Sequence, residues 1–506
     1  MAADTLRETT IRGLRWVAAT RVVEQVFAFA VAVALAHLIT PASYGHAAVA
    51  LIFLPLGAIL TFEGFASALV QLDTIDEHDR RGAMFMSLVG GAALSVVVFA
   101  LTGPLWSPLF GAQTARLIQL ISPILFIGAF GGVSRALLLR KLDFRSTSVI
   151  EAVSGVGGSA VAVGLAIAGL GARSIIFGAL AQMLINSSLL MVAARPPLPR
   201  WSWHAQRRVG GFGLPAALAG LVEIMFRNID YWILAARLSA ASTGFYYRAF
   251  NLGVVYQDKL SGVMVQVAYP VYSRTPDKAR LRAMHERAAR VHAAVIFPLL
   301  ASLMVLAPVL VPFVFGSAWT PSVRPTQILA LAGMLAAILT GYPQVMLAIG
   351  RPRQLLYFNV GRLGVYAGAV ILASRHGLVA VAVAVVAAYA VILLGAYRFL
   401  LDRHVGISIR RLVPELGPAV TGCLALAAVT VPLMQLFDGT LPRPILIAVV
   451  GTTGLVVYAL VVRMGFPAAW KDLRLLVGQV LGPLARRLRG RKTAVEAVDL
   501  AEAVGG

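Results

Sequence analysis

Long apolar stretches separated by short polar segments run through the chain from residue 14 to residue 463. Each is longer than the roughly 18 residues that an α-helix needs to cross the hydrocarbon core of a bilayer. They occupy 14–39, 44–70, 84–111, 115–139, 147–169, 172–194, 209–236, 244–270, 291–316, 325–350, 352–374, 376–401, 413–437 and 443–463. Such stretches suit helices rather than barrel strands, and they predict an all-α polytopic membrane protein with about 14 transmembrane helices.

The composition excludes the main soluble classes. Of the 506 residues, 59% are apolar and only 13% are charged, and the mean hydropathy is +0.82. A soluble domain carries about twice that share of charge, so a water-soluble enzyme of this length is excluded. The 25 Pro and 47 Gly residues show no repeat, which excludes collagen-like and disordered chains.

The charge distribution predicts how the chain is oriented. The chain has 44 Lys and Arg against 22 Asp and Glu, a net charge of +22. With the N-terminus placed in the cytoplasm, 34 of these cations fall on the cytoplasmic side and four lie within spans. The remaining six occur one per loop on the opposite side, at Arg116, Arg173, Arg237, Arg324, Arg375 and Arg443. This asymmetry predicts that both termini are cytoplasmic, and it gives no reason to expect a nucleic-acid partner.

An internal repeat relates the two halves of the chain. At an offset of 199 residues, 22–50 match 221–249 with 9 identities in 29 positions, where composition alone gives ~3. Identical pairs include Glu24/Glu223 and Gly45/Gly244. Because six spans separate the matched segments, we expect two pseudo-symmetric six-helix lobes of the same orientation. The predicted domains are an N-terminal lobe (1–194), a cytoplasmic linker (195–208), a C-terminal lobe (209–402), two extra transmembrane helices (403–464) and a basic amphipathic tail (465–506).

The turn between the first two spans has the sequence Leu-Ile-Thr-Pro-Ala-Ser-Tyr-Gly (38–45). With two six-helix lobes and two added helices, the chain resembles the Wzx-type polysaccharide transporter (oligosaccharide flippase) family, part of the multidrug/oligosaccharidyl-lipid/polysaccharide exporter superfamily. The resemblance implies ion-coupled alternating access in the bacterial inner membrane. It implies an undecaprenyl-pyrophosphate-linked oligosaccharide as cargo, for exopolysaccharide, capsule or lipopolysaccharide biosynthesis. Polysaccharide polymerase and chain-length proteins are expected partners.

Charged and polar residues inside the spans are the candidate functional groups, because burying them in a membrane is costly. Arginine suits a diphosphate since its planar fork binds two oxygens at once. The candidate substrate-binding residues are Arg21, Arg227, Arg248, Lys259, Asn251 and Tyr256. The candidate residues for coupling to H⁺ or Na⁺ are Glu24, Glu63, Glu223, Asp230 and Asp258.

Helical spacing places several of these residues on common faces. Glu223, Arg227 and Asp230 lie within ~60° of arc, and Arg248 and Lys259, eleven residues apart, lie within ~20°. One interpretation is that these faces line a hydrated cavity between the lobes, which the matched Glu24/Glu223 pair favours. The alternative is that the charges pair with one another and hold helices together.

Two amphipathic basic stretches, 271–290 and 466–492, predict interfacial helices on anionic lipids. The sequence has no P-loop and no metal-binding cluster, so no cofactor or metal is expected. Lipid II or cationic drugs remain alternative cargoes on the same architecture. A membrane-embedded polymerase or glycosyltransferase is the enzyme alternative, and the lack of a large periplasmic loop counts against it.

Overall fold

The structure is a computed structural model that describes residues 25–58, 66, 69–70, 72, 74–275 and 277–475. Every regular element within these ranges is a helix, which confirms the all-α prediction. Three candidate residues, Arg21, Glu24 and Glu63, lie outside the described residues, as does most of the predicted tail.

Ten helices in the described ranges are long and apolar enough to cross a membrane. They are Glu77–Ala100, Thr102–Arg140, Phe144–Ile167, Ala172–Ala194, Lys278–Phe315, Ser317–Ala348, Pro352–His376, Leu378–Val405, Ile409–Phe437 and Arg443–Gly465. Two shorter apolar helices, Gln25–Leu38 and Pro41–Leu56, precede them. The chain is therefore a multi-pass membrane protein.

The described residues form two compact units. The first contains residues up to Asn251 together with Leu310–Thr326 and Leu356–Ala388. The second contains Leu252–Val309, Gln327–Leu355 and the residues from Tyr389 onward. These units are defined by packing rather than by the repeat, so the predicted lobe boundaries remain a prediction.

The helices that position the candidate sites are numbered here in chain order. They are α1 (Gln25–Leu38), α2 (Pro41–Leu51), α3 (Glu77–Ala100), α4 (Ser107–Ile121), α5 (Pro123–Arg140), α6 (Phe144–Ile167), α7 (Ala172–Ala194), α8 (Gly211–Arg237), α9 (Ala240–Phe250), α10 (Tyr256–Ser273), α11 (Lys278–Phe315), α12 (Val323–Leu339), α13 (Pro352–Ala373), α14 (Leu378–Gly395), α15 (Ile409–Phe437) and α16 (Arg443–Gly465).

Helices α2 and α9 cross at a glycine on each helix. A Cβ atom on Gly45 would collide with the carbonyl of Ala240, lying 2.8 Å from its carbon. A Cβ atom on Gly244 would collide in the same way with the carbonyl of Pro41, 3.0 Å from its carbon. Pro41 and Ala240 are also 199 residues apart, so the contact is reciprocal under the repeat, as a contact across a two-fold axis is. Small residues let the two backbones approach closely, as in many membrane helix pairs.

Equivalent caps start these two helices. The Thr40 side chain accepts a hydrogen bond from the Ser43 N–H, and the Ser239 side chain accepts one from the Ser242 N–H. A hydroxyl in this position satisfies one of the four N–H groups that a helix start leaves without a partner. The repeat thus extends from sequence identity to local backbone structure.

The prediction of a separate interfacial helix at 271–290 is wrong. Residues from Lys278 onward belong to α11, which continues without a break to Phe315. Its 38 residues extend ~57 Å, nearly twice the hydrocarbon thickness. The apolar stripe that suggested a membrane surface packs within the protein instead, since Leu281 is buried and Arg282 donates to the carbonyl of Val405.

The helical segment 467–475 is held against α11 by charge. Asp472 accepts hydrogen bonds from Arg287 at 2.6 Å and from Arg290 at 3.0 Å. Arg290 also bridges to Glu415 of α15 at 2.8 Å. Ala469 is buried beside Tyr458 and Leu426, which adds an apolar contact. The described start of the basic tail is therefore docked on the protein.

Candidate functional site

A cluster of three charged side chains joins α8 to α13 in the first unit. The Glu223 carboxylate accepts a hydrogen bond from Arg227 Nε at 3.0 Å, one helical turn away, and another from Arg362 Nη2. Arg362 is also stacked on the ring of Phe226, with its guanidinium carbon 3.9 Å from the ring centroid. The intrahelical pairing that the sequence left as an alternative therefore occurs for Glu223 and Arg227.

Pairing does not remove this cluster from the surface of the unit. The side chains of Glu223 and Arg227 are 41% and 55% exposed, while Arg362 is 12% exposed. The carboxylate holds two guanidinium groups in place, and their planar forks are suited to phosphate oxygens. The arrangement can therefore serve as a preorganised anion-binding group as well as a structural link.

Asp230, two turns further along α8, occupies a closed site. Its side chain is fully buried and accepts hydrogen bonds from Tyr246 Oη at 2.8 Å and Tyr366 Oη at 2.9 Å. The backbone N–H of Tyr231 donates a third, at 2.9 Å. Three helices, α8, α9 and α13, thus supply donors to a single carboxylate. A buried carboxylate in contact with hydroxyl oxygens can bind a proton or a small cation. It can equally stabilise the packing of the three helices.

Arg248 lies in an aromatic cage and is 3% exposed. Its guanidinium carbon is 4.3–4.9 Å from the ring centroids of Tyr44, Phe315 and Trp319. Nη2 donates to the Ala32 carbonyl at 3.4 Å, whereas Nε has no hydrogen-bond partner among the described residues. Cation–π contacts in such a desolvated cage are worth ~2 kcal/mol. Arg248 has no room for a ligand here, so its predicted role in substrate binding requires the cage to open.

The remaining candidates lie within or just after a π-helical turn, Asn251–Val255, between α9 and α10. Asn251 donates to the Tyr247 carbonyl at 2.8 Å, and Lys259 lies 5.2 Å from the ring centroid of Tyr256. Asp258 accepts a hydrogen bond from Gln257. The ~20° separation predicted for Arg248 and Lys259 assumed α-helical spacing, and the π-helical turn makes that count invalid.

Two residues of these sites, Arg362 and Tyr366, were not predicted from the sequence. Arg362 lies well inside the predicted span 352–374, where a charged side chain is costly. Tyr366 follows it by four residues and so shares its helix face. A test for polar pairs at this spacing inside spans would have found both.

The sequence matches a family of known proteins. The profile of a family described as polysaccharide biosynthesis proteins matches residues 34–324. The lipopolysaccharide biosynthesis protein WzxC of Escherichia coli (strain K12) is 25% identical over 374 residues, covering 73% of this chain and 76% of WzxC. The succinoglycan biosynthesis transport protein ExoT of Rhizobium meliloti (strain 1021) is 22% identical over 438 residues, covering 85% of this chain and 88% of ExoT.

Two solved structures share the fold. The lipid II flippase MurJ, in an inward closed conformation, aligns with a TM-score of 0.70 at 12% identity, covering 89% of this chain and 98% of MurJ. An inward-facing multidrug resistance transporter of the MATE family aligns with a TM-score of 0.60 at 16% identity, covering 78% of this chain and 95% of that one. The matches confirm the expected resemblance to Wzx-type transporters, and they favour a transporter over an enzyme.

Proposed function

We propose, since this chain belongs to the family of polysaccharide biosynthesis proteins, that it is a flippase for an undecaprenyl-pyrophosphate-linked oligosaccharide in the bacterial inner membrane. The observation that carries the proposal is the family match, which spans 34–324 and includes Glu223 and Arg227 of the charged cluster. ExoT is by name a transport protein and MurJ a flippase. The polymer is an exopolysaccharide, a capsule or a lipopolysaccharide, and polymerase and chain-length proteins act beside the flippase.

The chain crosses the membrane fourteen times with both termini in the cytoplasm. Ten crossings are the long apolar helices, and the other four fall on α1, α2, α8 and the α9–α10 pair. The reciprocal crossing of α2 and α9 supports two lobes related by an axis along the membrane normal.

The diphosphate of the cargo is bound by guanidinium groups of the α8 cluster. Glu223 positions Arg227 and Arg362, and their forks replace the water that the phosphate oxygens lose. Arg21 and Arg248 add charge when the lobes rearrange, and Lys259, Asn251 and Tyr256 contact the sugars. A pocket that exchanges water for fixed donors lowers the cost of moving a charged headgroup through the membrane.

Coupling to H⁺ or Na⁺ takes place on carboxylates near this cluster. Asp230 is the best-supported of them, because it is fully buried and has two phenol partners on different helices. When a cation or proton binds Asp230, the hydroxyl groups of Tyr246 and Tyr366 lose the carboxylate as their hydrogen-bond acceptor. Ion occupancy is therefore linked to the packing of α8, α9 and α13. Glu24, Glu63, Glu223 and Asp258 are further coupling groups.

The test is genetic complementation with a matched pair of variants. A host lacking this gene should lose its surface polysaccharide and accumulate lipid-linked repeat units inside, and the intact gene should restore export. Arg362→Ala should restore less than a tenth of it at equal protein level, since a phosphate contact by arginine is worth ~1.5–3 kcal/mol. Arg353→Ala, on the same helix and exposed, should restore it fully.

Other outcomes of this experiment would replace the proposal. Loss of cell-wall synthesis with intact surface polysaccharide would identify lipid II as the cargo. Increased sensitivity to cationic drugs, with both polymers intact, would identify a multidrug exporter. Purified protein that lengthened a lipid-linked glycan would identify a polymerase.

A further inference from the structure

The first unit contains a second candidate ligand site, away from the α8 cluster. A cavity of about 500 Å³ lies among the starts of α2 and α7 and the middle of α4. It is lined by Ser43, Gln113, Arg116, Leu170, Gly171 and Arg173, among others. This volume lies within the range of small-molecule sites.

Three helical segments begin at this cavity. Ser43 is in the first turn of α2, and α7 starts after Gly171, whose φ is 55°. Helix α4 is broken at Gly111, where φ is 79° and ψ is 158°, so a new helical segment starts at residue 112. The N-terminal end of a helix carries partial positive charge on N–H groups that lack helical partners, which attracts anions.

Two arginine side chains add full charges to this field. Arg116 and Arg173 are both exposed, and within the described part of the chain neither side chain has a hydrogen bond or an ion pair. No acidic residue occurs in 36–58, 101–121 or 168–194, the stretches that build the cavity. Both guanidinium groups therefore line one cavity whose building stretches carry no counter-charge, and an anion bound there would supply it.

The chemistry of the lining indicates which anion fits. Guanidinium forks and helix-start N–H groups match the tetrahedral oxygens of phosphate, while Leu117 and Leu170 provide apolar wall for an ester chain. The cavity lies at the ends of spans, where the headgroups of lipids are found.

We propose that this cavity binds the phosphate or diphosphate headgroup of a lipid, with Arg116 and Arg173 as its principal ligands. The ester has two sources, an anionic phospholipid or a polyprenyl diphosphate. The site does not depend on the flippase proposal, because either source satisfies the same chemistry.

The experiment measures lipid binding to the purified full-length protein in phosphatidylcholine nanodiscs. The probes are dioleoylphosphatidylglycerol and undecaprenyl pyrophosphate, each titrated and read by native mass spectrometry. The double variant Arg116→Gln/Arg173→Gln should bind the preferred probe at least ~100-fold more weakly, about tenfold for each lost ion pair. The matched control Arg375→Gln/Arg443→Gln removes two arginines from other loops of the same predicted side and should bind like the unchanged protein.

Each outcome decides something. Loss of phosphatidylglycerol binding alone assigns the site to a membrane lipid, and loss of diphosphate binding alone assigns it to a polyprenyl carrier. Affinities in the double variant within twofold of the unchanged protein for both probes would overturn the proposal. If the glutamine variant does not fold, Arg116→Lys/Arg173→Lys keeps the charge without the fork and should weaken binding several-fold. Transport by the double variant is a separate readout, so failure here leaves the flippase proposal standing.

Discussion

The crossing of α2 and α9 predicts that an alanine at Gly45 is strongly destabilising. A Cβ atom there would lie 2.8 Å from both the Ala240 carbonyl carbon and the Gly244 nitrogen, distances that real Cβ contacts do not show. The obstacle is backbone, so no side-chain rotation relieves it and the two helices must separate. Overpacking in a well-packed core costs ~1–3 kcal/mol, and a backbone obstacle places Gly45→Ala at the upper end, about 3 kcal/mol.

Symmetry makes the prediction sharper. Gly244→Ala should lower the free energy of unfolding by a similar amount. Its Cβ atom would collide with the Pro41 carbonyl, just as a Cβ atom on Gly45 would collide with the Ala240 carbonyl. The double variant should lose less stability than the sum of the two single variants, because the first added Cβ atom already forces the helices apart. Thermal and denaturant unfolding of the purified protein in one detergent gives the comparison.

The matched control lies on α6. Gly164 also sits within a helix, but a Cβ atom there meets nothing within 4 Å. Gly164→Ala should therefore be neutral or stabilising by up to about 1 kcal/mol, the helix propensity gain of alanine. If Gly45→Ala unfolds like Gly164→Ala, the close approach of α2 and α9 does not exist in the folded protein.

Two further substitutions test the buried polar contacts. Tyr366→Phe removes one hydrogen-bond donor from Asp230 and should lower the free energy of unfolding by ~1.5–3 kcal/mol. The control Tyr357→Phe, on the same helix and 72% exposed, should change it by less than ~0.5 kcal/mol. Equal effects of the two substitutions would refute the contact between Tyr366 and Asp230. Asp472→Asn weakens the charge contact with Arg290 and should lower the free energy of unfolding by ~1–2 kcal/mol, and by less at high salt. The same substitution should increase the rate of proteolysis after residue 465. An unchanged cleavage rate would show that 467–475 is not docked.

Hydropathy predicted the helices well where a span is uniformly apolar. The predicted span 172–194 coincides with α7, and 443–463 differs from α16 by two residues at one end. Hydropathy worked because every lipid-exposed crossing must be a long apolar helix. The orientation predicted from the loop cations stays a prediction. The same pattern predicts a span at 209–236, which overlaps α8 although this helix carries Glu223, Arg227 and Asp230.

The partners of the charged residues could not be predicted in the same way. Asp230 is bonded by Tyr366, 136 positions away, and Arg248 is enclosed by Tyr44 and Trp319 from other parts of the chain. Helical spacing shows which residues of one helix share a face, but it does not show which other helix packs against that face. Helical spacing does predict contacts within one helix, and the i,i+4 pair of Glu223 and Arg227 formed.

The prediction for the amphipathic stretch 271–290 was wrong for a related reason. A stripe of apolar residues between arginines looks the same whether it lies on a lipid surface or on other helices. In the structure His285, within this stretch, meets the Tyr397 hydroxyl at 3.1 Å, and the stripe extends α11. Periodicity identified the helix correctly and left its partner undetermined.

The most direct test of the central claim is translocation by the purified protein alone. Liposomes containing the protein and a fluorescent undecaprenyl-pyrophosphate-linked oligosaccharide are treated with a glycosidase that cannot enter them, and the protected fraction is followed in time. We predict that the unchanged protein and Arg353→Ala deplete the protected fraction, while Arg362→Ala does so at less than a tenth of that rate. Depletion no faster than in protein-free liposomes, or equally fast for a glycolipid without the diphosphate, would contradict the account.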